Sequence, residues 1–87
     1  MSAGGEGASV TLYGRPDCHL CDEARAKIAD MRPGLPAFEL LEIDIDADEK
    51  LLARFLERIP VIELGGAIVS ELEFDEDAFR VALLSYR

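Results

Sequence analysis

Basic side chains are in short supply in this chain. Nine Lys and Arg stand against eighteen Asp and Glu, leaving a net charge of −9. That sets nucleic acid aside as a partner, because such binding rests mainly on cationic contacts to phosphate. An anionic membrane surface is set aside for the same reason. Otherwise the acidity reads as a solubility feature with a bias against anionic partners. Long apolar runs are missing too, and nothing approaches the ~20 consecutive apolar residues of a membrane span. One histidine and two cysteines fall short of the four ligands that structural zinc takes within a chain. No glycine loop is arranged to cradle phosphate, and there is no internal repeat or interdomain linker. Eighty-seven residues leave room for one domain with a modest core. The opening stretch Met1-Ser2-Ala3-Gly4-Gly5-Glu6-Gly7 has neither the basic start nor the apolar stretch of a secretory signal. Its glycines favour a loose arm. The expectation is a flexible arm over 1–7, a single domain over 8–87, and a cytoplasmic location.

What is present falls into alternating segments. Ala8 to Tyr13 alternates, with Val10 and Leu12 on one face, and predicts a strand. From about Cys18 to Met31, Leu20, Ala24, Ile28 and Met31 follow helical spacing, and Pro33-Gly34 stops the helix. Phe38 to Ile45 is apolar and β-branched enough for a buried second strand. Asp46 is placed to cap a second helix, with Glu49 at the capping-box position and Leu51, Leu52, Phe55 and Leu56 on its core face. Pro60 opens a third strand that runs to Leu64. Gly65-Gly66 is a hairpin signal, and Ala67 to Leu72 returns as strand four. Asp75, Glu76 and Asp77 give an acidic first turn to a third helix packed through Ala78, Phe79, Ala82 and Leu83. The order βαβαββα implies a right-handed parallel βαβ unit followed by an antiparallel hairpin. The expected fold is α/β, a four-stranded mixed sheet flanked by helices.

Both cysteines lie at the first strand–helix junction, in Cys18-His19-Leu20-Cys21. A thiol in the first turn of a helix faces unpaired backbone N–H groups and the positive end of the helix dipole. That setting favours thiolate, the nucleophile of disulfide exchange. Cys18 sits nearer the helix start and the more exposed side, so it is the candidate nucleophile, expected to titrate below an ordinary thiol. Cys21 is then the resolving thiol, since Cα atoms one helical turn apart lie within the ~4.4–6.8 Å reach of a disulfide. In the cytosol a CxxC beside a βαβ pattern is more often redox-active or metal-binding than a permanent staple. The surrounding charges oppose one another. Arg15 and a protonated His19 support the thiolate, while Asp17, Asp22 and Glu23 disfavour it, each exposed charge being worth about 1 kcal/mol or less. Uncharged, His19 is only an exposed spacer. Leu20 is either an exposed apolar contact for a partner or helix filler. Tyr13, beside the site, reads as packing.

The run Leu12-Tyr13-Gly14-Arg15-Pro16-Asp17-Cys18-His19-Leu20-Cys21-Asp22-Glu23-Ala24 is similar to small bacterial glutaredoxin-like proteins of the thioredoxin-fold superfamily. So are Glu42-Ile43-Asp44-Ile45-Asp46 and Arg58-Ile59-Pro60-Val61, and the resemblance spans residues 8 to 86. It implies a thioredoxin-like, glutaredoxin-type fold and a thiol–disulfide oxidoreductase working through Cys18 and Cys21. It further implies a cis-proline at Pro60 beside the disulfide, which discourages metal at the thiols, with Ile59 presenting backbone groups to an extended substrate. The alternative is an ordinary trans proline that opens a strand. Arg15 stands where glutaredoxins place a lysine that contacts a carboxylate of glutathione; otherwise it is a solvated surface arginine.

The departure from the pattern follows strand four. Glutaredoxins carry a second glycine pair and Cys-Asp-Asp there, holding the γ-glutamyl end of glutathione. Here the stretch is Val69-Ser70-Glu71-Leu72-Glu73-Phe74-Asp75. Glu71 and Glu73 would repel the anionic tripeptide, while Ser70 keeps a hydroxyl able to donate. The expectation is therefore no bound cofactor and no metal, with glutathione entering only as a reductant. The substrate is a disulfide-containing protein or a low-molecular-weight thiol, and the chain is a monomer. Two other functions fit the same residues. One is a glutathione-dependent iron–sulfur cluster-binding protein, two chains each presenting Cys18. The other is a non-catalytic thioredoxin-fold interaction module.

Overall fold

The computed structural model describes residues 7–86. Apart from Gly7, the arm expected over 1–7 lies outside the described residues. The strands are β1 (Ala8–Gly14), β2 (Phe38–Asp44), β3 (Val61–Leu64) and β4 (Ala67–Glu71), and the helices are α1 (His19–Met31), α2 (Glu49–Phe55) and α3 (Glu76–Ser85). Short 3₁₀ turns at Arg32–Gly34 and Ile45–Ala47 follow α1 and β2. The sheet order is β2-β1-β3-β4. β1 runs parallel to β2 and antiparallel to β3, and β3 runs antiparallel to β4. The mixed four-stranded α/β architecture expected from the sequence is the one observed.

Alternation along the central strands builds two cores. Val10 lies opposite Leu64 and Leu12 opposite Ile62, so these four side chains share one face of the sheet. Ala24 and Ile28 of α1 and Phe79 and Leu83 of α3 cover that face. Side chains one residue out of step point to the other face, where Val61 packs with Phe55 of α2, Ile45, Ile59 and Cys21. One of the two cysteines thus belongs to the smaller core. Among the described residues no helix is long and apolar enough to cross a membrane.

Several expected boundaries shift, each for a local reason. β2 is an edge strand rather than a buried one, with Phe38 its only buried residue and Leu41 57% exposed. It ends at Asp44, and Ile45 is buried from within the following turn. Asp48, not Asp46, caps α2: its Oδ1 accepts from the N–H groups of Lys50 (2.8 Å) and Leu51 (3.3 Å). Asp46 instead gives its own N–H to Asp44 Oδ1 at 2.9 Å, and Glu49 becomes the first helical residue. Leu56 falls just past the helix and is exposed. On α1 the buried stripe is Cys21, Ala24 and Ile28, so Leu20 is exposed rather than in the core. β4 stops at Glu71 because Leu72 adopts φ 62°, a left-handed conformation that no strand continues through. The Leu72 N–H turns back to the carbonyls of Arg58 (3.0 Å) and Pro60 (3.1 Å).

Candidate functional site

The site forms where β1 hands over to α1. After Gly14 the loop 15–17 ends on Asp17 at φ 61°, a left-handed position that Asp tolerates better than most residues. Cys18 follows in extended conformation (φ −102°, ψ 107°) and is the N-cap of α1. Its Sγ accepts a hydrogen bond from the Cys21 N–H at 3.1 Å, and its carbonyl accepts the Asp22 N–H at 3.0 Å. The thiol position is therefore aimed at the unpaired donors of the helix start, where negative charge is stabilised. Cys18 and Cys21 are joined as a disulfide, with Cα atoms 5.2 Å apart.

The two sulfurs are not equivalent. Cys18 is half-buried, whereas Cys21 is 1% exposed and sits in the smaller core with Ile45, Phe55, Ile59 and Val61. Pro60 adjoins this core, buried, with a cis Ile59–Pro60 peptide bond. The fold thus brings Cys18, Cys21 and Ile59 into one cluster. Ile59 is buried, and its N–H already donates to the Phe55 carbonyl at 3.0 Å, so that donor is not free for an extended partner.

The charged and polar neighbours take up partners of their own. Arg15 Nη2 lies 3.3 Å from Asp46 Oδ1, so the guanidinium is engaged by the chain's own carboxylate. His19 is exposed, and its Nε2 reaches Glu23 Oε2, one turn along α1, at 2.7 Å. Leu20 is exposed beside it. Asp22 and Glu42 share Arg25 at 2.8 and 2.7 Å. Its hydrogen bonds, to Glu42 first and then to Asp22, hold that guanidinium's pKa above the ordinary arginine value. Tyr13 stacks on Phe55 with ring centroids 4.8 Å apart and donates to Glu63 Oε1 at 3.1 Å. Burial first, and then the Glu63 hydrogen bond and charge, raise the phenol pKa, which suits a packing role. Among the described residues no three His, Cys, Asp or Glu side chains are grouped to hold a metal.

The end of β4 and the loop that follows it differ from expectation in two respects. Glu71 is paired through both carboxylate oxygens with Arg58, the Arg58 Nε–Glu71 Oε1 contact being 3.0 Å. The Arg58 hydrogen bond holds the Glu71 carboxyl below the usual carboxylate range. Its charge is thus offset within the chain and does not act alone. Ser70 is buried, and its hydroxyl accepts the Asp75 N–H at 3.0 Å and faces the Glu73 carbonyl at 3.4 Å. That hydroxyl serves the loop rather than an incoming ligand. Asp75 in turn caps α3 by accepting the Ala78 N–H at 3.0 Å.

One residue of the site carries no functional group and so escaped the sequence reading. A Cβ added at Gly14 would lie 2.9 Å from Cys21 Sγ. A glycine closing an otherwise side-chain-bearing strand is the signal that could have found it.

Comparison with known proteins agrees with this fold. No curated protein matches the chain. The solution NMR structure of protein Ne2328 from Nitrosomonas europaea is similar at 30% identity and TM-score 0.80, over 90% of this chain and 93% of that one. The X-ray structure of protein XcR50 from X. campestris is similar at 33% identity and TM-score 0.74, over 90% of this chain and 99% of that one. The family model described as Glutaredoxin-like domain (DUF836) matches residues 9–84. With its fold and its disulfide-bonded CxxC pair, this chain belongs to the glutaredoxin-like domain (DUF836) family.

Proposed function

We propose that the protein is a cytoplasmic, monomeric thiol–disulfide oxidoreductase that cycles between the Cys18/Cys21 dithiol and their disulfide. The observation that carries this reading is the unequal placement of the two sulfurs. Cys18 caps a helix and is half open, and Cys21 is sealed behind it. In the reducing half-cycle, Cys18 thiolate attacks one sulfur of a substrate disulfide. A mixed disulfide forms, and one substrate thiolate leaves and takes up a proton. Cys21 then gives up its proton and attacks Cys18 Sγ, releasing the second substrate thiol and closing the Cys18–Cys21 bond. The substrate gains two electrons and the protein loses two. A low-molecular-weight thiol such as glutathione, or another dithiol protein, restores the reduced pair. The substrate is a disulfide-bearing protein or small disulfide, and an extended one can lie against the Ile59 carbonyl.

The two cysteines separate this cycle from a merely structural disulfide. Cys18→Ser is expected to abolish exchange with a model disulfide, and Cys21→Ser to accumulate mixed disulfides visible by mass spectrometry. Full activity in Cys18→Ser would overturn the assignment.

A further inference from the structure

We propose that Gly14 is a positioning residue that sets the redox poise of the cysteine pair, by leaving empty the space that Cys21 Sγ occupies when the disulfide is closed. The inference rests on the reading of Cys18 and Cys21 as an exchanging pair.

Gly14 is the last residue of β1, paired with Asp44 of β2, and is buried. It is not among the positive-φ glycines, which are Gly65 and Gly66. Its backbone therefore does not demand glycine, and the space around it does. A Cβ at Gly14 would stand 2.9 Å from Cys21 Sγ, 3.3 Å from Cys21 Cβ and 3.4 Å from a methyl of Leu12. Non-bonded heavy atoms prefer about 3.5–4.0 Å, so the sulfur or the strand has to give way.

Which of them gives depends on the redox state. In the disulfide, Cys21 Sγ is tied to Cys18, whose own position is fixed as the cap of α1. Moving the sulfur then means moving the helix start or the strand end. In the dithiol, Cys21 can turn about χ1 into another staggered well. An added methyl therefore penalises the oxidised form more than the reduced one. It also obstructs the approach of Cys21 to Cys18 Sγ in a mixed disulfide, because closure brings the sulfur into the same space. Gly34 supplies the control: it lies in the turn after α1, and a Cβ there meets nothing within 4 Å.

The experiment equilibrates wild type, Gly14→Ala and Gly34→Ala in glutathione redox buffers and measures the oxidised fraction by thiol trapping. Gly14→Ala is expected to favour the dithiol about tenfold relative to wild type, equivalent to about 30 mV more oxidising for this two-electron couple. Gly34→Ala should match wild type. The oxidised form of Gly14→Ala should also lose more thermal stability than its reduced form, and its mixed disulfides should persist longer. A redox equilibrium within about twofold of wild type (under 10 mV by the same constant) would overturn the proposal, since glycine would then serve packing alone. If Gly14→Ala folds poorly, the same substitution in a Cys21→Ala background decides. With the sulfur absent, the stability loss should shrink to what the remaining 3.3 Å β-carbon and 3.4 Å Leu12 contacts cause, and an undiminished loss would also overturn the proposal. The equilibrium is measurable without turnover, so wild type that titrates but reduces no substrate would sink the proposed function and leave the role of Gly14 standing.

Discussion

The starts of α1 and α3 solve the same problem with different atoms. At α3 the Asp75 carboxylate accepts the N–H three residues on, at 3.0 Å. At α1 the Cys18 sulfur accepts the N–H three residues on, at 3.1 Å. Asp48 does for α2 what Asp75 does for α3. A carboxylate is charged throughout the neutral range and makes a strong cap. A sulfur is a weak acceptor while it is part of a disulfide, and it matches the helix end fully only as a thiolate. Two of the three helices thus begin on permanent caps. The third begins on a cap whose strength changes with the electron count of the site.

Exchanging the two kinds of cap should give the largest effect. Cys18→Asp would furnish α1 with the same cap as α3. We expect loss of detectable disulfide exchange, together with a thermal stability at or above that of the reduced wild type. Measured under reducing conditions, a variant less stable than reduced wild type would mean that α1 has no use for an anion at its cap. Removing a permanent cap should instead affect stability alone. Asp75→Ala is expected to cost about 1 kcal/mol, a fall in Tm of roughly 4–8 °C for a domain this small, with exchange on a protein disulfide left near wild type.

A smaller effect concerns the thiolate itself. In the reduced protein, absorbance titration should place the Cys18 inflection below that of an ordinary thiol. Asp17→Asn and Asp22→Asn should each lower it further, by less than about one unit, since exposed charges contribute about 1 kcal/mol or less. An inflection in the ordinary thiol range would remove the helix start from the mechanism. The smallest effect lies at the Arg58–Glu71 pair. Its folded-state pKa is depressed, so the unfolded chain binds the proton more readily and stability rises with pH through the carboxylate range. The pair's contribution is complete above the unfolded value and is lost as pH falls through the folded one. Glu71→Gln should slightly lower stability near neutrality and leave it little changed at acid pH, flattening the acid limb of a stability profile.

The contrast between local and distant information explains what could be read in advance. Val10 and Leu12, Ala24 and Ile28, and the Gly65-Gly66 turn, with φ 58° and 89°, state their conformations within a few residues, and the element order followed from them. The place of Cys18 at a helix start was legible for the same reason, because Pro33-Gly34 and the apolar spacing fix where α1 can lie. The sequence points to Asp46 as the cap of α2, whereas Asp48 takes that place, because every Asp of this stretch can cap and only the helix boundary chooses among them. β2 looked buried because its apolar content says nothing about how many neighbours a strand has. The pairings Arg15–Asp46 and Arg58–Glu71 and the approach of Gly14 to Cys21 join segments whose proximity is a product of the tertiary fold. No local pattern encodes the two ion pairs, and Gly14 leaves only the trace of a glycine at the end of a side-chain-bearing strand.

The burial of Cys21 has a kinetic consequence for the proposed cycle. Walled in by Gly14 and Ile59, it leaves every incoming molecule a single sulfur to meet. Substrate and regenerating thiol must then alternate at one address, and no complex holds both. Steady-state measurements would yield parallel double-reciprocal lines, and an excess of either reactant would crowd out the other.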